Sequence, residues 1–256
     1  GVLQIQKNFI YGKLNGKVME RWENGKYRKK EYYRNDIPVF THYAYYEDGS
    51  LFGKIQYKNG KMHGKCVMFY KNGSCFEEHH YYKGNLHGRC TRFFKNRQIE
   101  CIRYFHFGKH VGLYKEYYAN GILKQKIRFN KKGEKNGLVQ MYNENNQVVF
   151  ISQFKNNKKD GVQIFFYPNG SIRSIRNFNN GNLHGETTQF SSIGGIEASY
   201  TYMNNCKEGV FLKKNNNETI IGNYRHGRKN GYETHATDKE VTKVFFYKNG
   251  RKHGLQ

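Results

Sequence analysis

The chain has 256 residues, with 44 Lys plus Arg against 20 Asp plus Glu, a formal charge of +24 and a sequence pI near 9.7. No run of about 18 apolar residues is present to cross a bilayer as a helix, and the N-terminal Gly-Val-Leu-Gln-Ile-Gln lacks the charged-then-apolar pattern of a secretory signal. A positive surplus of this size favours acidic partners, namely a nucleic-acid backbone, anionic lipid head groups or an acidic protein surface; equally, basic turns keep sheet edges soluble and unpaired.

In chain order, the first element is Phe9-Ile-Tyr-Gly-Lys-Leu-Asn-Gly16, and edited copies of it return to the end of the sequence. They include Tyr33-Arg-Asn-Asp-Ile-Pro-Val-Phe40, Tyr57-Lys-Asn-Gly-Lys-Met-His-Gly64, Tyr81-Tyr-Lys-Gly-Asn-Leu-His-Gly88, Phe105-His-Phe-Gly-Lys-His-Val-Gly112, Phe178-Asn-Asn-Gly-Asn-Leu-His-Gly185, Tyr224-Arg-His-Gly-Arg-Lys-Asn-Gly231 and Tyr247-Lys-Asn-Gly-Arg-Lys-His-Gly254. The closing residues Gly16, Phe40, Gly64, Gly88, Gly112, Gly137, Gly161, Gly185, Gly209, Gly231 and Gly254 are 22 to 25 residues apart, and most steps are 24. A fixed period of this length marks a structural repeat array. One elongated domain over residues 1–256, of about ten or eleven units, is therefore expected.

Each unit carries two turn signals. Asn59-Gly60, Asn180-Gly181 and Asn249-Gly250 lie inside the octapeptide, and Asn24-Gly25, Asp48-Gly49, Asn72-Gly73, Asn120-Gly121 and Asn169-Gly170 follow its closing glycine by nine residues. Both sets are read as two-residue hairpins with positive φ at both positions. Between the turns, Val162, Ile164 and Phe166 keep the period of two of a half-buried strand. Ile172, Ile175 and Phe178 are spaced by three, which points to a bulge. An aromatic pair five and six residues after each closing glycine should place one ring on each face. No window offers a capped stripe of helical period. The predicted fold class is all-β, an elongated single-sheet meander of hairpins roughly 100 Å long if each of ten units advances about 10 Å. The last third is more degenerate, since the stretches after Gly209 and Gly231 lose the second glycine and most of the aromatic pair. With 22 Tyr and 19 Phe, the interior is expected to be aromatic and thin.

An aromatic, then x-x-Gly, x-x-x-Gly and a polar strand with aromatics and Asn-Gly, repeated near 24 residues from Phe9 to Gly254, resembles the MORN repeat. The likeness is to the divergent form of bacterial antitoxin-like proteins and giant DNA viruses, since the Tyr-x-Gly-x-Trp of the commoner form is missing and Trp22 is the sole tryptophan. The resemblance implies an extended, non-enzymatic scaffold that self-associates or binds proteins or acidic phospholipids. It also raises two finer readings, a component of a viral particle and a binder that neutralises a toxin.

Residue chemistry points the same way. The sequence has no nucleophile elbow, Walker loop or dinucleotide fingerprint, so neither an enzyme nor a cofactor is expected. His63, His87, His184 and His253 each precede a closing glycine, but adjacent copies two strands apart lie about 10 Å from each other, too far to share one zinc. No metal site is expected. Glu77, Glu78, His79 and His80 alternate between faces, so at most one Glu and His pair can cooperate. Cys66, Cys75, Cys90, Cys101 and Cys206 lack C-x-x-C spacing, and Cys66 and Cys90 are two strands apart. Reduced thiols in a cytoplasmic or intravirion setting are expected rather than a disulfide-stabilised secreted protein. The candidate interaction surface combines Lys58, Lys61, Lys65, Tyr70, Lys71, Arg89, Arg92, Phe94, Lys109, Tyr118, Tyr167, Arg228, Lys229 and Arg251. Aromatic anchors with basic steering residues suit protein partners or self-assembly, and basic rows with rings between them also suit nucleic acid or acidic lipid.

Overall fold

The computed structural model describes residues 4–215 and 217–254. No helix occurs among these residues, and every strand pairing is antiparallel. The expected all-β meander is the observed fold class. The chain divides into two compact units, 1–133 and 134–256. The first runs from the strand Ile5–Ile10 to the strand Leu123–Phe129, and the second from Lys135–Tyr142 to Arg251–Lys252. Within each, a strand pairs with its predecessor and its successor through alternating turns.

The first turn of the repeat is the predicted one. Strands Leu51–Lys58 and Lys61–Phe69 are joined by Asn59 (φ 50°) and Gly60 (φ 74°), both in the left-handed region that a primed two-residue turn demands. The second turn differs from the expectation. At 71–73 only Gly73 has positive φ, Gly73 N–H donates to Tyr70 O at 2.9 Å, and Tyr70 N–H donates to Ser74 O at 2.9 Å. This is a three-residue loop ending in a left-handed glycine, not a two-residue hairpin. The asparagine earns its place by hydrogen bonding. Asn72 Oδ1 accepts from Ser74 N–H at 3.0 Å and Ser74 Oγ at 2.7 Å, while the equivalent Asn24, Asn96 and Asn169 also donate from Nδ2 to the next unit's loop, to Glu47 O, Ala119 O and Ser192 O, at 2.8–2.9 Å.

The closing glycine lies within a strand rather than in a turn. Ile55 pairs with Cys66 and Tyr57 with Met62, so Gln56 alone faces the three residues 63–65. Gly64 sits in that bulge at φ 92°, and Gln56 Oε1 accepts Lys65 N–H at 2.9 Å to close it. A Cβ on Gly64 would collide with Gln56 Oε1. On its other side Gly64 lies directly opposite Tyr81, as Gly88 opposes Phe105, Gly161 opposes Phe178 and Gly209 opposes Tyr224. Each aromatic that opens a repeat thus covers the side-chain-free backbone of the repeat before it. This explains the 24-residue period: 17 residues run from a glycine to the ring facing it, and 7 more reach that ring's own glycine. The irregular spacing of Ile172, Ile175 and Phe178 has another source: Phe165 pairs with Ser174 and Phe166 with Ile172, so Arg173 is the extra residue of a second bulge on this strand, and Ile175 and Phe178 lie on opposite faces.

The interior is thinner than a conventional core. Among the described residues eight apolar side chains are buried, including Val67, Val139 and Phe211, against ten polar or charged ones, including Glu77, Gln163 and Glu233. Burial of apolar area alone therefore does not account for the order of the units, and the polar groups must find partners. The aromatic pair supplies some of these links. Its second member sits past the strand end, where Tyr46, Tyr70 and Tyr167 donate their hydroxyls to Phe69 O, Phe93 O and Phe190 O of the next unit at 2.8–3.0 Å, and Trp22 Nε1 reaches Tyr45 O at 3.4 Å.

Candidate interaction surfaces and a polar row

The pairing register distributes the fourteen sequence-predicted residues over both edges and both faces of their units. Lys58, Lys61 and Lys109 flank tight two-residue turns in the first unit, and Arg228 and Arg251 do so in the second. Tyr70, Lys71, Phe94 and Tyr118 lie at the opposite, three-residue-loop edge of the first unit, as Tyr167 does in the second. The rings of Tyr70 and Tyr167 are half-buried and their hydroxyls are held by main-chain carbonyls, so they act as ties between repeats. Lys65 and Arg89 project from the face shared with Gln56, and Lys65 Nζ is 2.7 Å from Glu78 Oε1.

Arg92 and Lys229 fall on the other, more buried face and are engaged there. Arg92 lies 3.8 Å from Glu100 and 4.0 Å from Glu77, with its guanidinium over the Phe76 ring. Lys229 pairs with Glu233 and lies 4.9 Å from the centroid of the Tyr247 ring. Burial is the largest influence and lowers the Lys229 amine, but the hydrogen bond to Glu233, the Glu233 charge and the neighbouring Tyr247 and Tyr224 together outweigh it and raise the pKa. Lys207, sandwiched at 3.8 Å and 5.0 Å from the Tyr200 and Tyr224 centroids, is instead lowered by burial and then by the neighbouring Lys229. These cations are part of the units' packing, not free surface charge.

On the same face of the first unit the register assembles a row that the linear sequence conceals. Cys66 lies opposite His79, and Arg92 lies opposite Glu77 on the following strand. Cys90 Sγ is 3.0 Å from His79 Nδ1, and His79 Nε2 is 3.2 Å from Glu77 Oε2. Arg103 Nη2 donates to Glu77 Oε1 at 2.6 Å. Of the four adjacent residues 77–80, Glu77 and His79 thus share this face, while Glu78 and His80 point to the other, as alternation requires. Cys90 and Arg103 escaped sequence reasoning because they come from the next two strands. Cys90 is 1% exposed, and its thiol is pushed up to about 11 by burial, reinforced by the Glu77 charge and only partly offset by Arg103. A buried, protonated thiol is a poor nucleophile, so the Cys, His and Glu alignment does not make a catalytic triad.

Residues 41–59, 111–131, 135–156 and 159–180 match the family model of the MORN repeat variant. These are MORN repeats of the variant class. The matched stretches fall in both units, and the unmatched intervals share their positive-φ closing residues. MORN repeats form a repeat-based binding scaffold, are generally non-catalytic and often mediate protein or membrane interaction. No curated protein sequence matches the chain. Among solved structures, similarity extends to the TcdB2-TccC3-Cdc42 crystal structure, at 12% identity, a TM-score of 0.22 and 90% coverage of this chain. It also extends to TcdB2-TccC3 without the hypervariable C-terminal region, at 12% identity, a TM-score of 0.17 and 94% coverage. The chain spans 15% of the length of each of those chains.

Proposed function

We propose that this MORN array is a non-enzymatic scaffold that docks acidic protein surfaces along its tight-turn edges. The observation that carries this reading is the basic character of those edges. Lys58, Lys61, Lys83 and Lys109 flank or occupy the tight turns of the first unit, and Lys155, Lys158, Arg225, Arg228, Lys248 and Arg251 those of the second. All are exposed, and none forms an ion pair among the described residues. Such rows raise the encounter rate with an acidic partner and reject a basic one. The half-buried, tied rings of Tyr70 and Tyr167 give single-stranded nucleic acid a poor stacking platform, so an acidic protein surface is favoured over it.

Binding of the full chain to immobilised poly-glutamate, to single-stranded DNA and to phosphatidylserine vesicles, each across a salt series, tests the reading. Poly-glutamate binding should weaken as salt rises, and the triple variant Lys58→Glu, Lys61→Glu, Lys109→Glu should lose at least about tenfold in affinity. Lys71→Glu, at the opposite edge, should change little. Unchanged binding by the triple variant, a flat salt response, or tighter retention of DNA or vesicles than of poly-glutamate would overturn it.

A further inference from the structure

We propose that Glu77, His79 and Cys90 form a binding site for a single divalent transition-metal ion of borderline softness, with Zn²⁺ the best fit. One ligand atom from each residue lies within 4.8 Å of the others, and the group combines a carboxylate, an imidazole and a thiol. Zinc favours this donor set, and in a tetrahedron with bonds of about 2.0–2.3 Å neighbouring ligand atoms are about 3.4–3.6 Å apart. Cys90 Sγ lies 3.0 Å from His79 Nδ1 and Glu77 Oε2 lies 3.2 Å from His79 Nε2, so thiol and carboxylate flank the two nitrogens of one imidazole, and the ring must turn to present a single nitrogen to a metal held with both.

Two features distinguish the trio from a chance cluster. His79 Nε2 is buried without a hydrogen bond of good geometry, so the site holds an unsatisfied polar atom whose lone pair a metal would take up. The arginines, moreover, address only one oxygen of Glu77: Arg103 and Arg92 lie 2.6 Å and 4.0 Å from Oε1, leaving Oε2 facing the histidine. A positive group holding the far oxygen fixes the orientation of the near one, as outer-shell partners do in metal centres. The three residues leave the fourth position of a tetrahedron to water, and Cys66, although paired with His79 across the strands, is not one of the trio. On binding, Cys90 releases its thiol proton to solvent, so uptake of the metal strengthens with pH.

Titration of the reduced, chelator-stripped full chain with Co²⁺ decides the matter. One equivalent should bind with the near-ultraviolet absorption of a thiolate-to-cobalt charge transfer, and Zn²⁺ should displace it. Cys90→Ser should abolish that absorption, and His79→Gln should weaken binding at least about hundredfold. Cys206→Ser, at an exposed thiol outside the row, should leave both unchanged. If far-ultraviolet circular dichroism shows that Cys90→Ser fails to fold, His79→Gln decides alone. Absence of the charge-transfer band, its survival in Cys90→Ser, unweakened binding by His79→Gln, or its loss in Cys206→Ser would overturn the assignment.

Discussion

Replacing Gly222 by alanine should destabilise the second unit by about 2 kcal/mol, the cost of forcing one extra methyl into a filled position. Gly222 lies directly opposite Phe211, a ring that is 4% exposed. A Cβ there would stand 2.6 Å from Phe211 Cε1, 2.9 Å from Cζ and 3.4 Å from Glu233 Cβ. Neither neighbour is free to retreat. The ring is stacked on Tyr200 with centroids 5.7 Å apart and packs against Tyr224 at 5.0 Å, and Glu233 is fixed by Lys229 and His235. Shrinking the ring should therefore rescue the substitution. A Gly222→Ala, Phe211→Val double variant should lie at least about 1 kcal/mol above the sum of the two single effects, the signature of residues sharing one space. Urea unfolding midpoints read the result, and an unaffected single variant or strictly additive effects would contradict it.

Glu77→Ala should cost the first unit about 2–3 kcal/mol, because removal of one partner leaves charged groups without compensation in a site partly closed to water. The carboxylate, with a side chain 8% exposed, receives Arg103 at 2.6 Å and faces His79 at 3.2 Å. The Arg103 and Arg92 side chains are 30% and 38% exposed, so water offsets part of the loss, and the full penalty of a deeply buried pair does not apply. Glu77→Gln keeps the shape and one acceptor and should lose about half as much. A Glu77→Ala variant within about 0.5 kcal/mol of the parent, the range of ordinary surface changes, would show that the network is not a structural tie.

The parts of this fold that were legible in the sequence are those fixed by local backbone chemistry. Asn59-Gly60 states its turn outright, since both residues must adopt positive φ, and the regular return of Gly64, Gly88 and Gly112 states the period. Asn72-Gly73 was misread because the same dipeptide also ends a three-residue loop, in which only the glycine needs positive φ and the asparagine serves as a side-chain acceptor. The dipeptide alone does not distinguish the two; the pairing of Tyr70 with Ser74 does. The polar row was hidden for a different reason. Glu77, His79, Cys90 and Arg103 come from three strands, and each bulge at a closing glycine, where one residue faces three, shifts the register between them. Without that shift the partner of His79 cannot be counted from sequence. For the same reason the candidate surface was assembled from residues that the register sends to opposite edges and faces.

The central claim is that the repeating object is a strand bulge in the left-handed region and that glycine recurs because it suits that backbone. Phe40 tests it, because it fills the glycine position of its repeat at φ 62° while 63% exposed, opposite Tyr57 as Gly64 is opposite Tyr81. Relief of left-handed strain worth about 1 kcal/mol should offset the flexibility that glycine adds to the unfolded chain. The urea midpoint of Phe40→Gly should therefore equal or exceed that of the parent, while Phe52→Gly, at a bulged strand residue whose φ is not positive and whose ring packs on Tyr46, should fall well below it. A Phe40→Gly variant that loses as much as Phe52→Gly would contradict the account.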